Sequence, residues 1–195
     1  CQTKPIFDFP YYQTFNSTDF QVGQTIVLAE DWVNGTGDFH DWWVGQGQTP
    51  TAGTGPKIGD VGTGTGKYLY MEADGHLGQI AQLFSPCIDL YQIPNANIKF
   101  YLNMRGAGGN EFHVDLYDAS TQSYLNDIIP VINGGQVDDW FHVEFNAYQY
   151  RNTITQLRFR GKTNPTNALS DIALDSFKIV YAPLVDIRME SIEIS

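Results

Sequence analysis

Four histidines are the residues with the widest chemical use in this sequence, but their spacing forms no catalytic motif. His40, His76, His113 and His142 include no His-x-x-x-His or His-Glu pair of the kind that holds a catalytic metal. Glu72 stands alone among carboxylates on its segment, whereas glycoside hydrolysis requires two carboxylates across the sugar bond. No Gly-x-Ser-x-Gly segment presents a serine nucleophile. The sequence therefore predicts a protein that is not an enzyme.

The two cysteines, Cys1 and Cys87, are too few for a zinc site and form no Cys-x-x-Cys redox pair. A sequence that begins at cysteine is typical of a bacterial lipoprotein after signal cleavage, in which Cys1 carries the acyl chains and anchors the protein to a membrane. A disulfide between Cys1 and Cys87 is one alternative, and an arbitrary starting point of the sequence is another. Residues 1–11 are accordingly interpreted as a tether.

Charge and composition exclude some partners. Asp and Glu number 22 against 11 Lys and Arg, and this net charge of −11 repels the phosphate backbone of nucleic acids. No apolar run reaches the length that crosses a bilayer. With 14% aromatic and only 17% charged residues in a chain of 195, the sequence favours one folded, aromatic-rich β domain.

The elements that would position any site are strands. Between about residues 98 and 180, apolar and polar residues alternate with a period of two, which is the pattern of strands with one face in a core. Turns are predicted at Arg105–Asn110, Asn133–Asp138 and Gly161–Ala168, and no segment has a sustained helical period. The alternation predicts an antiparallel β-sandwich, with His113 and His142 on its solvent faces.

The first half is less regular. Between Trp42 and Gly66 the glycines and prolines indicate a long ordered loop before a strand at Lys67–Glu72. Such a loop either forms a binding surface or serves as a structural crossover. Residues 183–195 are predicted to form a short C-terminal extension that could add an edge strand.

Several segments in order resemble the MAM domain family. They cover roughly residues 25 to 180, and the ordered set is more specific than any single motif. The segments are Asp38-Phe39-His40-Asp41-Trp42, Gly45-Gln46-Gly47-Gln48-Thr49-Pro50, Thr54-Gly55-Pro56, Gly66-Lys67-Tyr68-Leu69-Tyr70-Met71-Glu72-Ala73, Ala81-Gln82-Leu83-Phe84-Ser85-Pro86 and Asp171-Ile172-Ala173-Leu174-Asp175-Ser176.

The resemblance implies a jelly-roll β-sandwich at residues 12–182 that serves extracellular adhesion without activity of its own. Ser85-Pro86-Cys87-Ile88-Asp89-Leu90 and Phe159-Arg160-Gly161 look more similar to a bacterial surface-protein branch than to animal receptors. Animal members usually carry two disulfides, which two cysteines cannot form. Stability is therefore expected to depend on core burial or on a metal ion.

The resemblance also implies a structural calcium or sodium ion, because some jelly-roll domains hold one between their opening and closing strands. Asp171 and Asp175 match the closing hallmark, and Asp41 and Asp60 stand at matching acidic positions. Gln13 or Asp8 would contribute from the opening strand. The alternative is that Asp175 accepts hydrogen bonds from buried main-chain donors and Asp60 caps a turn.

Exposed aromatic residues are the candidate ligand-binding set. Trp42 matches the core tryptophan of the family, so Trp43 falls on the opposite face. Trp43, Tyr148 and Tyr150 are predicted to contact a protein or, alternatively, a glycan. The sequence thus predicts a recognition module at a bacterial outer membrane or in the extracellular space, which associates with a surface protein as an accessory lipoprotein subunit. A carbohydrate-binding module is the alternative.

Overall fold

The computed structural model describes residues 1, 3–23, 25, 29–135 and 139–183. In these residues the chain forms two antiparallel sheets facing each other, so the predicted all-β jelly-roll sandwich is confirmed. The described part contains no helix long and apolar enough to cross a membrane. Its one helix is a three-residue 3-10 turn, η1 (Tyr148–Tyr150).

The first sheet has the strand order β10-β6-β12-β4-β3. β1 lies on the same side of β12 as β4 and pairs with the part of β12 that β4 does not reach. Its central strand β12 carries the closing hallmark and pairs with β6, β4 and β1. The strands of this sheet are β1 (Tyr11–Gln13), β3 (Trp43–Gln46), β4 (Lys67–Met71), β6 (Ala96–Asn103), β10 (Phe141–Asn146) and β12 (Ile172–Tyr181).

The second sheet has the order β2-β5-β11-β7-β8, with β9 also paired to β7. Its three long central strands provide most of the ladder, and the short strands lie at the edges. The strands of this sheet are β2 (Val33–Asn34), β5 (Ile80–Asp89), β7 (Glu111–Asp118), β8 (Ser123–Leu125), β9 (Ile132–Asn133) and β11 (Ile154–Lys162).

The core between the sheets is built largely from aromatic rings. Phe159 on β11 stacks on Trp32 and contacts Phe100 and Phe177 from the opposite sheet at ring-centroid distances of 5.5 and 6.1 Å. Trp42 is fully buried, as predicted, and contacts Phe112 edge-on. Because an aromatic pair adds about 0.5–1.5 kcal/mol beyond its buried area, this ring network is a large part of what holds the two sheets together.

The predicted turn at residues 161–168 begins two residues late, because β11 continues to Lys162. Gly161 pairs with Ala81 and Phe112 in the ladder. A β-carbon on Gly161 would overlap the sulfur of Met71 and approach Trp42 at 3.3 Å, so glycine lets the opposite sheet come close here. This glycine therefore marks close packing between sheets rather than the end of a strand.

The N-terminal segment lies along β5. Ile6 exchanges main-chain hydrogen bonds with Cys87 and Asp89 at 2.8 and 2.9 Å. Cys1 and Cys87 form a disulfide, which is the second of the three alternatives for Cys1. The division of the chain at residue 11 stays a prediction, although the first residues are attached to the sandwich here. The predicted C-terminal edge strand falls in residues 184–195, which lie outside the described residues.

The glycine-rich loop after β3 covers the outer face of the first sheet. Beneath it, Tyr68, Tyr70 and Ala173 are buried with Trp43 and Trp140 packed against them. Tyr68 donates a hydrogen bond to the carbonyl of Gly47, and the indole of Trp140 donates one to that of Gly59. The loop is thus held by the sheet and forms part of the fold.

Candidate functional site

An open pocket of about 410 Å³ lies where the β2–β3 connection meets the residues that follow β4. We call it the end pocket. It is lined by Gly35, Gly37, Asp38, Phe39, His40, Asp41, Trp43 and His76. Its volume falls within the roughly 300–1,000 Å³ typical of small-ligand sites.

The side chain of Asn34 closes the loop that carries this pocket. Its amide donates to the carbonyl of Trp42 at 3.0 Å and accepts from the Trp42 N–H at 2.9 Å, as a strand partner would. The loop is also attached to β5, because Gly35 donates to the Gln82 carbonyl and the Gln82 N–H donates to Asp38 Oδ2 at 2.6 Å. These bonds fix the positions of the pocket side chains.

His40 and His76 stack in the wall of the end pocket, with ring centroids 3.9 Å apart and planes inclined by 16°. His40 is only 7% exposed, and its Nε2 is buried without a hydrogen-bond partner. Burial and the neighbouring His76 lower the pKa of His40 to about 4, although a hydrogen bond to the Glu72 main chain opposes the shift. The His40 ring is therefore neutral at physiological pH.

Two carboxylates and two aromatic rings complete the end pocket. Burial and the negative charge of Asp38 raise the pKa of Asp41 above its ordinary value. Phe39 is 84% exposed, and Trp43 is half-buried on β3. Among the described residues, the lining contains no lysine or arginine that could neutralise the two carboxyl groups.

Of the four predicted acidic ligands, the structure brings Asp60 and Asp175 together. Asp175 accepts hydrogen bonds from the N–H groups of Val61 and Ser176 at 2.8 and 2.5 Å. Asp60 accepts from the Gly66 N–H and from the hydroxyl of Thr63, each at 2.8 Å. Burial raises the pKa of Asp175 to about 7, and the negative charge of Asp60 adds to this rise.

The other two predicted ligands lie elsewhere. Asp41 belongs to the end pocket. Asp171 accepts a hydrogen bond from the Ala73 N–H at 2.9 Å and interacts with the carboxyl group of Glu72. Within the described residues, no group of three or more His, Cys, Asp or Glu side chains is arranged to hold a metal ion. The four aspartates are therefore not one ligand set.

Oxygen donors at Asp60 and Asp175 nevertheless suit a hard cation. Asp60 Oδ2 and Asn16 Oδ1 face the same side of Gly66, where a β-carbon would meet them at 2.5 and 2.7 Å. Calcium accepts carboxylate, amide and main-chain oxygens together with water. Gln13, one of the two residues predicted to contribute from the opening strand, donates a hydrogen bond to Glu30 and accepts one from the Phe15 N–H. A contribution from Gln13 or Asp8 to an ion site stays a prediction.

The predicted ligand-binding aromatics do not form one surface. Trp43 lies on β3 at one edge of the first sheet, whereas Tyr148 and Tyr150 follow β10 at the other edge. Four strand spacings separate these edges, or about 19 Å. Tyr148 is 51% exposed under the guanidinium of Arg151, and Tyr150 packs against the core. Of the three residues, Trp43 lines the end pocket.

The outer face of the second sheet carries an ion cluster that the alternation pattern did not reveal. Asp115 is fully buried there and accepts hydrogen bonds from Arg158 and Arg160 on β11. His113, predicted on a solvent face, contacts Asp127 and Glu111 and is partly covered. His142 is exposed on β10, as predicted. Cross-strand register, which sequence alone does not supply, determines these pairs.

The fold and its end loops define a class of protein, the jelly-roll β-sandwich, and the sequence defines the family. The profile of the MAM domain (meprin/A5/mu) matches residues 14–183. The mouse protein "MAM domain-containing protein 2" is 32% identical over 146 residues, which is 73% of this chain. The chain belongs to the MAM domain family. It spans only 20% of the length of that mouse relative.

Solved structures agree on the fold at low identity. The K2 cleaved adhesin domain of Lys-gingipain has a TM-score of 0.57 at 13% identity, with 89% of this chain and 99% of that one covered. TmCBM61, solved in complex with β-1,4-galactotriose, has a TM-score of 0.52 at 9% identity, with coverage of 85% and 100%. At such identities the likeness establishes the shared fold alone.

Proposed function

We propose that this chain is a non-catalytic recognition module that associates with a protein at the cell surface or in the extracellular space. The family match over residues 14–183 is the observation that carries the proposal. The disulfide between Cys1 and Cys87 supports an oxidising compartment outside the cytosol. The site chemistry agrees, because the end pocket offers acceptors and aromatic rings but no nucleophile held by a base.

The test is direct binding. The chain is immobilised and exposed to secreted and surface proteins of its own source, before and after enzymatic removal of their glycans, with a glycan array in parallel. We expect saturable binding of a protein that survives deglycosylation, and no array signal. Binding that disappears on deglycosylation, or turnover of any substrate by the pure chain, would overturn the proposal.

Carbohydrate binding is the second candidate, favoured by the exposed ring of Phe39 beside Trp43 and the carboxylates of the end pocket. Aromatic faces stack on sugars, and carboxylates accept hydrogen bonds from sugar hydroxyls. The shared fold with TmCBM61 is compatible with this function. A glycan ligand predicts array binding that is lost in Trp43→Ala.

A structural calcium or sodium ion at Asp60 and Asp175 is part of the proposal. The raised pKa of Asp175 reflects burial near a second carboxylate, and a bound cation would relieve that repulsion. Such an ion would fasten the glycine-rich loop at Val61 to the central strand β12.

Lipid anchoring through Cys1 and membership of an outer-membrane assembly are predictions from the sequence. A cysteine sulfur in a disulfide cannot also carry a lipid, so the structure favours the Cys1–Cys87 bond over the anchor. We therefore propose association through the sandwich surface rather than through an acyl chain.

A further inference from the structure

The end pocket presents hydrogen-bond acceptors without matching donors. His40 Nε2 is buried in its wall and has no partner. The ring of His40 bonds to the main chain of Glu72, and because Nε2 is unpaired this bond belongs to Nδ1, which donates to the carbonyl. Nε2 then carries a lone pair, since a neutral imidazole has one donor and one acceptor nitrogen.

The His76 ring is oriented by one hydrogen bond. Its Nδ1 lies 3.1 Å from Gln79 Oε1, which can only accept, so Nδ1 is the donor, and in the neutral form of the ring Nε2 is an acceptor. Asp38 and Asp41 add carboxylate oxygens, of which Asp38 Oδ2 already accepts from the Gln82 N–H. The polar side chains lining the end pocket are therefore complementary to a ligand that donates hydrogen bonds through N–H or O–H groups.

The charge of the pocket selects among such ligands. Asp38 and Asp41 contribute two carboxyl groups, the His40 ring is neutral, and no lysine or arginine is among the described residues that line the pocket. Phe39 and Trp43 offer aromatic faces, which attract cations electrostatically. A guanidinium or ammonium group satisfies the acceptors, the charge and the rings together.

We propose that the end pocket receives an arginine or lysine side chain of the partner protein. This inference rests on the proposed function and names the chemistry of the partner at that contact. The whole chain favours the same ligand, because its net charge of −11 attracts basic surfaces and accelerates their association.

A sugar and a transition metal fit the pocket less well. A sugar hydroxyl supplies donors but no positive charge, and so leaves the carboxylate pair uncompensated. A metal has no ligand set, since the described residues contain no group of three His, Cys, Asp or Glu able to hold one. Both ligands are outcomes that the test distinguishes.

The test uses a matched pair of small probes. N-acetyl-argininamide and its uncharged analogue N-acetyl-citrullinamide are titrated into the chain, and NMR shifts of the Trp43 indole and of the His40 and His76 rings are followed. We expect millimolar, saturable shifts with the arginine probe and none with the citrulline probe. Equal shifts with both, or shifts only with a methyl glycoside or zinc, would overturn the proposal.

A charge-matched pair of variants locates the contact. Asp41→Asn removes one pocket charge and should weaken the arginine probe about fivefold, the effect of about 1 kcal/mol. Asp19→Asn removes a charge from an exposed position outside the end pocket and should leave affinity unchanged. Equal losses in the two variants would show that only overall charge matters and would overturn the proposal.

The same variants separate this inference from the proposed function. If the inference is wrong and the proposed function is right, the wild-type chain and the Asp41→Asn variant bind the protein partner equally well. Failure of the proposed function leaves no protein partner at all, whatever the probes show. Success of both predicts weaker partner binding by Asp41→Asn and unchanged binding by Asp19→Asn.

Discussion

Arg160 and Asp115 form a two-bond ion pair between neighbouring strands, with Nε 2.6 Å from Oδ2 and Nη2 3.0 Å from Oδ1. Asp115 also accepts from Arg158 Nε at 2.7 Å and from the Asp127 N–H at 2.9 Å. Burial alone would raise the pKa of Asp115, but these hydrogen bonds outweigh it and hold the pKa below its ordinary value. A fully buried carboxylate is thus kept charged by two arginines whose side chains are 18% and 20% exposed.

Asp115→Asn should destabilise the sandwich by about 3 kcal/mol, because Arg158 and Arg160 lose their carboxylate partner while the strand pairing still holds both of them at that position. Asp115 has a lowered folded pKa, so its contribution is present above the unfolded pKa and is lost as pH falls through the folded pKa. Urea unfolding at pH 7 and pH 3 measures both effects. Asp118→Asn, which changes an acid at the solvent-accessible end of the same strand, is the control and should change stability little. An equal loss in the control would contradict the prediction.

Gly161→Ala should destabilise the fold by about 1–3 kcal/mol through overpacking. The added methyl group would meet the sulfur of Met71 and the ring of Trp42, which are both fully buried in the core. A second change, Met71→Ala, should restore part of the loss if the clash is the cause. Thermal unfolding of the two single variants and the double variant gives the coupling energy. Strict additivity would contradict this explanation.

The long strands of the second half could be predicted because each presents one face to the core over many residues. β6 and β11 show almost strict alternation of buried and partly exposed residues. β1, β2 and β3 have three, two and four residues, which is too short for a period to emerge. They exist because neighbouring strands offer hydrogen-bond partners, and this pairing between distant parts of the chain is invisible in local sequence.

The candidate site could be predicted only in part for the same reason. Motif position indicated Asp60 and Asp175, which the fold brings together, but also Asp171 and Asp41, which belong to other clusters. The contact between His40 and His76 had no signal in sequence, since it depends on how two loops meet. A motif matches positions along the chain, whereas a site depends on distances.

The Cys1–Cys87 disulfide predicts a single cross-linked peptide in native material. Cys87→Ser should lower the free energy of unfolding by about 2–4 kcal/mol, because the bond closes a long loop in the unfolded chain. Peptide mass mapping without reductant, together with urea unfolding of the variant, checks both statements. Acyl mass on Cys1 would contradict the first, and unchanged stability would contradict the second.

Calcium should stabilise the wild-type chain if Asp60 and Asp175 hold it. At a concentration 100 times the dissociation constant the gain is about 2.7 kcal/mol. Asp175→Asn should abolish the calcium-dependent rise in Tm, whereas Asp118→Asn should retain it. Calorimetry with calcium, with sodium and with chelator identifies the ion. A rise in Tm that persists in Asp175→Asn would place the ion elsewhere.

The carboxyl groups of the buried Asp171 and the partly exposed Glu72 interact, and their buried atoms Asp171 Oδ2 and Glu72 Oε2 have no hydrogen-bond partner. Burial raises the pKa of Asp171 from 3.8 to about 7, and the negative charge of Glu72 contributes. A raised acid pKa means that the folded state holds the proton more tightly than the unfolded state. The contribution to stability is therefore complete below about pH 4 and is lost as pH rises towards 7.

Asp171→Asn should consequently be more stable than the wild type by about 1–2 kcal/mol at pH 8, and the difference should shrink at pH 5. The amide keeps an acceptor for the Ala73 N–H and gains a donor for the unpaired oxygen of Glu72. Urea unfolding at both pH values measures the effect, with Glu72→Gln as a second neutralising variant expected to change stability in the same direction. A variant less stable than the wild type at pH 8, with the pH slope unchanged, would contradict the raised pKa of Asp171.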